Sequence, residues 1–448
     1  MRKPMPKTDR TLPAYLSLSA TPPLAFLFLC IYTCLAFLRL HEYGGALVEL
    51  PILPTLIGLT FMLWMAVERK DFRAPQYFIV VGLLFALTFS YAGATRWIGG
   101  TVKAFLDFST IVLYFFLVAT TVNTPKRMGI FLSVLANCLF IIAIHCILQA
   151  QSGVGWTGAL LSQGTRATYI GFLSDPNDLA LVLLAVLPVT VGWIFRKGGL
   201  IRKPLGILYS SAYLYGIYLT NSRGAVVALG FMMLVLSIVK LRSIKSLMVL
   251  PILFVTLVAF APSRVAEIDS KEESAAERVD AWYAGYQMFI RSPIFGVGQN
   301  RFQENHDITA HNSFVQVMAE LGFFGLFFWV AMLTATIIML IRAVKAHRLI
   351  LKSTQTTVNM LLFQQSMVHM NTVMLALAGT LAASMFLSRA YVIMLYVLVG
   401  LVVANFSMLK TAYPALAMPT FRALWPRFLL IQALGIFGMW LVTKILLR

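Results

Sequence analysis

An uninterrupted run of about twenty apolar residues is long enough to cross the hydrocarbon core of a bilayer. Such runs recur along nearly all of this chain. Thirteen segments qualify: 22–38, 50–67, 76–92, 103–121, 128–149, 178–195, 204–220, 224–240, 244–261, 315–341, 366–387, 391–409 and 428–446. Of the 448 residues, 59% are hydrophobic and 12% charged, where a soluble domain carries about 25% charged residues. With a mean hydropathy of +0.82, the solvent for most of the surface is lipid. The pattern predicts an all-α polytopic membrane protein, one membrane domain over residues 1–448. It has about twelve transmembrane helices, or thirteen if the weaker last segment also crosses.

The net charge of +19 does not indicate nucleic-acid binding, which needs a basic patch on a folded face. Here the basic residues stand in short clusters between apolar segments, which is how membrane orientation is encoded. With the N-terminus (Arg2, Lys3, Lys7, Arg10) inside and the sides alternating, the inside loops hold most of the 36 Lys and Arg. They include Arg69, Lys70 and Arg73; Lys126 and Arg127; Arg196, Lys197, Arg202 and Lys203; and Arg342, Lys345 and Arg348. The expected location is a membrane crossed many times, with these loops on the cytoplasmic side. The last segment breaks the alternation by placing Lys444 outside, so an interfacial or re-entrant course is the expectation there. The basic N-terminus reads as the flank of an uncleaved first helix, because the apolar stretch continues to Leu38 without a small-residue cleavage site. The four cysteines lie within apolar segments at no metal-binding spacing, and they read as small buried hydrophobes.

Two outside segments are long. Residues 150–177 are polar and Gly-rich. Residues 262–312 hold most of the acidic residues. Within the second, SKEESAAERVDAWYAGYQMFIRS predicts a helix with Trp282, Tyr286 and Phe289 on an apolar face, and SPIFGVGQN predicts a turn. Loops of this length are functional or disordered, and the aromatics favour function.

Charges at membrane depth are costly and mark candidate sites. Arg223, in TNSRGA, stands in a tight outside turn between two spans. Its guanidinium fork suits a lipid-borne phosphate or diphosphate, the alternative being a snorkelling anchor. Arg278 precedes Trp282 by one helical turn and is either a phosphate ligand or part of a salt-bridged helix face. His311 comes just before a helix, with Asn312 or Ser313 as cap, where unpaired N–H groups favour anions. Its reference pKa near 6.5 suits a general base. Arg166 faces outward from the Gly-rich loop. Asp175, Asn177 and Asp178, in SDPND, read as a turn and helix cap. Glu320, Arg301 and His306 are auxiliary candidates, and Arg389 is a further outer-face charge. No P-loop, dinucleotide fingerprint, nucleophile elbow or metal-ligand set is present, and the inside loops are too short for a nucleotide-binding domain. Neither a cofactor nor a metal is expected.

Three blocks resemble the O-antigen ligase and polymerase family of bacterial membrane proteins: TNSRGAVVALG (220–230), RVDAWYAGYQMFIRSPIFGVGQNRF (278–302) and HNSFVQVMAELGFFG (311–325). With Arg166 and SDPNDLALVL, the likeness extends over roughly 150–340, its ligase-like region over 166–340. The resemblance implies a GT-C-like fold in a bacterial inner membrane and metal-independent transfer of a glycan from an undecaprenyl diphosphate lipid, with the active site facing the periplasm. The acceptor would be lipid A–core, another lipid-linked chain or a protein. It also implies that Arg223 and Arg278 hold the diphosphate and that His311 serves the acceptor. Arg166 matches the family's upstream arginine and is a further diphosphate candidate, while Asn312, Glu320, His306 and Arg301 are auxiliary candidates on their own positions, His306 being an addition to the family pattern. A ligase is the first expectation and a polymerase of the same fold the second. A transporter would predict inverted repeats and charges at the bilayer midplane, and no internal repeat is visible.

Overall fold

The computed structural model describes residues 23–44, 48, 50–67, 70–196, 199–241, 273–351 and 358–446. Twelve of the thirteen apolar segments coincide with helices, and the candidate at 244–261 lies outside the described residues. The helices are α1 (Pro23–Leu38), α2 (Ile52–Val67), α3 (Pro75–Thr95), α4 (Ile98–Thr121), α5 (Pro125–Ser152), α6 (Pro176–Phe195), α7 (Arg202–Leu219) and α8 (Arg223–Leu236). Beyond the acidic segment follow α9 (Glu273–Arg291), the single turn α10 (Phe302–Asn305), α11 (Ser313–Ile350), α12 (Met360–Ser384), α13 (Ile393–Ala412) and α14 (Phe421–Leu446). Among the described residues the only β pairing is two isolated bridges in the 153–166 loop.

Eight helices, α3 to α6 and α11 to α14, are long and apolar enough to cross a membrane, and α1, α2 and α8 are shorter apolar helices. The chain is thus a polytopic membrane protein. Large apolar side chains such as Met62, Phe78, Leu106, Ile207, Leu361 and Leu434 are exposed on the outside of the bundle, far beyond the patches a soluble monomer tolerates.

Local chemistry starts the helices. Thr124 caps α5, its hydroxyl accepting the Arg127 N–H at 3.2 Å, and Pro125 takes the first helical position. Asp175 and Pro176 do the same for α6. Small residues and polar pairs then bring helices together, as expected where lipid removes the hydrophobic drive between them. Gly206 of α7 lies against the backbone of α6 at Thr190, and the Thr190 and Ser210 hydroxyls bond at 2.8 Å. Gly82 of α3 lies beneath the ring of Phe328 on α11.

The last helix lies on the outside of the bundle, with only Leu424, Phe428, Gln432 and Thr443 buried, and runs along its full depth. Phe421 at its start packs 5.1 Å from Phe78 near the start of α3. Gln432 donates to the Phe323 carbonyl at 2.8 Å, and Met439 reaches the small apolar cluster formed by Met288, Phe302, Ala310, Val315 and Ala319 under α9.

The helix predicted in the acidic segment is α9. Its buried face is Ala281, Gly285, Met288 and Phe289, flanked by the half-buried Trp282 and Tyr286. Gly285 is where α9 meets α11, because a Cβ there would strike Val315 and Phe302.

A break in α11 fixes the turn that follows α9. Gly322 has φ 63° and ψ −160° inside an otherwise continuous helix. Residues 293–298 enter the break and replace its lost hydrogen bonds. Val297 N–H donates to the Ala319 carbonyl at 3.0 Å and Gly298 N–H to Glu320 at 3.0 Å. From the other side, Phe323 N–H donates to Pro293 at 2.7 Å and Phe324 N–H to Ile294 at 3.2 Å. A Cβ at Gly322 would stand 2.6 Å from Gly296 N and from the Ile294 carbonyl, and its φ is one that only glycine adopts cheaply. Gly322→Ala is therefore expected to destabilise the detergent-solubilised protein by about 2 kcal/mol or more. Gly58→Ala, at a helical glycine with open space around its Cβ, is expected to be neutral or slightly stabilising. Equal thermal unfolding temperatures for the two variants would contradict the interlock.

Candidate functional site

One end of the bundle gathers the starts of α6, α8, α11 and α13 with the ends of α5, α7 and α12. Its centre is an ion-pair network. Asp175 caps α6, its carboxylate accepting the Asn177 N–H at 2.7 Å. Asp178, one turn into the helix, is buried and pairs with Nε of Arg389 from the α12–α13 loop. A second guanidinium nitrogen of Arg389 lies 3.6 Å from Asp175. The backbone of the same loop is tied to α11, with Arg389 N–H donating to the Ser313 hydroxyl at 2.9 Å and that hydroxyl to the Leu387 carbonyl at 2.7 Å. The SDPND segment is thus a helix cap, as the sequence indicates, and also half of a charged cluster.

Arg166 links this cluster to the α7–α8 turn. Its Nε donates to the Thr220 carbonyl at 2.9 Å and one terminal nitrogen to Asn177 Oδ1 at 3.0 Å. The turn itself is as short as expected: α7 ends at Leu219 and α8 begins at Arg223. Asn221 takes a left-handed conformation at φ 53°, and the Ser222 hydroxyl accepts the Ala225 N–H at 3.4 Å as the cap of α8. Arg223 is the first residue of α8 and half-buried. Its neighbour Gly224 faces Phe386, three residues before Arg389.

His311 stands beside Ser313 with φ 47°. That region costs a non-glycine residue of order 1 kcal/mol and tends to persist where a site requires it. Asn312 caps α11, its side-chain oxygen accepting from Phe314 N–H at 2.9 Å and Val315 N–H at 3.2 Å. Half-buried, His311 lies within electrostatic reach of Arg278, Asp175 and Arg389. Burial, then the positive charge of Arg278, with Arg389 adding to it against the opposing Asp175, hold its pKa below the ordinary histidine value. The ring is accordingly neutral at pH 7 and able to accept a proton. Buried polar atoms at this end that lack a hydrogen-bond partner among the described residues include Asn221 Oδ1, Trp282 Nε1 and Ser388 Oγ.

The remaining candidates are engaged elsewhere. Glu320 is fully buried and its Oε1 accepts the Phe302 N–H at 3.3 Å, so it holds the loop that enters the α11 break. Arg301 pairs with Glu304 at 2.5 Å and lines a separate cavity of about 580 Å³ between the end of α3 and residues 292–297. His306 bonds Asp280 at 3.0 Å and so staples the loop to α9. Within the spans, His145 bonds Thr157 at 3.0 Å and packs against Trp156 and Tyr169, which anchors the first long loop. Sequence reasoning missed the pairing of Arg389 with Asp175 and Asp178. The available signal was the Ser388–Arg389 step at a span end, which repeats the Ser222–Arg223 step.

Residues 205–330 match the family described as O-antigen ligase. The match takes in Arg223, Arg278 and His311, and it supports the family resemblance drawn from the three sequence blocks. At the general level it indicates a membrane-embedded enzyme of the glycan ligase or polymerase class with lipid-linked glycan substrates. No curated protein matches the chain.

Proposed function

We propose that this protein is a glycan ligase, acting on the extracytoplasmic face of a bacterial inner membrane through a GT-C-like bundle of twelve or thirteen transmembrane helices. It transfers an oligo- or polysaccharide from undecaprenyl diphosphate to an acceptor hydroxyl, that of lipid A–core or a similar glycan. The observation that carries the reading is the meeting of a neutral, half-buried His311 with Arg278 and Arg389 at one end of the bundle, inside a segment matching the O-antigen ligase family.

The chemistry follows from the groups present. An undecaprenyl diphosphate needs charge neutralisation to leave, and positioned guanidinium groups supply it to the developing anion. Arg223, at a helix start, and Arg278, on α9, take that role. Two nitrogens of Arg166 already donate to Thr220 and Asn177, so Arg166 serves as a positioning residue for the α7–α8 turn. The acceptor is the poorer partner. His311 takes its proton while the acceptor oxygen forms the new C–O bond at the anomeric carbon and the bond to the diphosphate oxygen breaks. The electron pair leaves with the lipid diphosphate. No metal enters the scheme.

The test is transfer by the full chain in proteoliposomes, with the glycan-bearing undecaprenyl diphosphate supplied alone or with lipid A–core. A glycan-capped acceptor, formed together with free undecaprenyl diphosphate, is the expected product. Lengthening of the lipid-linked chain in the donor-only arm would make the protein a polymerase of the same chemistry. No new glycosidic bond in either arm would remove the proposal.

A further inference from the structure

The bundle end opposite the candidate site carries a cavity of about 760 Å³ between α5, α6, α7 and α12. Three cations line it from three elements: Lys126 at the start of α5, Arg196 just past α6 and Arg202 at the start of α7. No carboxylate is among the lining residues. Burial and then the neighbouring Arg202 both work against the charge on Arg196, so the fold holds two like charges close together on the cavity wall. The wall also includes the buried His369, which bonds the Pro125 carbonyl and feels Arg196.

Like charges held close together repel, and an anion between these cations relieves that repulsion. The rest of the wall says what kind of anion. Ile130, Leu205 and Val368 also line the cavity and are 37–45% exposed, so its wall is apolar as well as charged. A free phosphate would fill the charged part and leave this apolar part empty. A phosphodiester headgroup with acyl chains fills both.

We propose that this cavity is a binding site for an anionic glycerophospholipid, its phosphate held by Arg196, Arg202 and Lys126 and its acyl chains along Ile130, Leu205 and Val368. Basic pockets between transmembrane helices are suited to such headgroups. The site does not depend on the glycan-transfer reading, since it shares no residue with that end of the bundle. Its position at the junction of α6 and α7 gives it leverage on the α6–α7 pair, whose far ends carry Asp175 and Thr220.

The test is lipid retention by the full chain in native mass spectrometry, with dioleoyl phosphatidylglycerol and dioleoyl phosphatidylcholine offered in equal amounts. The wild type is expected to retain phosphatidylglycerol at least tenfold over phosphatidylcholine. The double variant R196Q/R202Q is expected to lose that preference and R196K/R202K to keep most of it. Arg342→Gln, at the same bundle end but bonded to the Ala417 carbonyl, is expected to keep it fully. If R196Q/R202Q does not fold, Lys126→Gln alone is expected to lower retention several-fold, and unchanged retention in it would overturn the proposal. So would an undiminished preference in R196Q/R202Q. Thermal stabilisation of the wild type by millimolar inorganic phosphate as large as that by phosphatidylglycerol would also overturn it, in favour of a free anion.

Discussion

His311→Ala is expected to lower the rate of glycan transfer by roughly 10²–10⁴-fold, the usual contribution of a positioned general base, while the protein inserts and unfolds like the wild type. The residue lies outside the helices, and the cap of α11 is made by Asn312 rather than by the histidine. Truncating its ring therefore leaves the bundle intact, and relief of the left-handed backbone by Gly, in His311→Gly, should even be tolerated structurally. The pH dependence separates a base from a spacer. Burial and Arg278 hold the imidazole below its ordinary pKa, so the neutral, working form persists as pH falls. The acid limb of kcat/KM is thus expected below about pH 6.5, the unperturbed histidine value. Arg278→Gln removes one of the charges that disfavour protonation and is expected to move that limb upward, besides lowering the maximal rate. An acid limb unmoved by Arg278→Gln, or near-normal turnover in His311→Ala, would remove the base role.

Arg223→Ala is expected to cost roughly 10²–10³-fold in kcat, the scale seen when one preorganised donor to a developing anion is deleted. Arg223→Lys is expected to recover little of it. Lysine restores the charge but not the planar fork of donors that engages two phosphate oxygens. The distinguishing measurement is the split between kcat and KM for the lipid-linked donor. A residue that only anchors the helix end at the membrane surface would leave both unchanged on replacement by lysine. A diphosphate ligand loses kcat in both variants.

Most of the architecture was readable because lipid is a demanding solvent. It forces each span into an unbroken apolar stretch, and residues such as Pro125, Pro176 and Ser222 then punctuate the ends. The candidate site was readable in part for a related reason. Arg223, Arg278 and His311 stand at span ends or in the long loop, on the side where the other basic residues are sparse. What escaped was everything made by contacts between distant elements. Arg389 looked like one outer-face charge among several, yet it closes on Asp178, 211 residues earlier. Gly322 reads as an ordinary helical glycine beside Gly325, and its break is visible only once residues 293–298 enter it. Arg301 and His306 have the right residue types for a site, but Glu304 and Asp280 claim them. Spacing along the chain carries no information about which carboxylate reaches which cation in three dimensions.

The distance between Asp178 and Arg389 also sets an order of events. A ribosome adding 5–20 residues per second makes the arginine about 10–40 s after the aspartate. Asp178 therefore enters the bilayer on α6 well before its permanent partner exists. The ion pair cannot guide insertion of that helix, which has to go in on apolar content alone. It acts instead as a late latch: α6 waits for the α12–α13 loop, and Asp178 stays without its arginine until Arg389 has been made and seated.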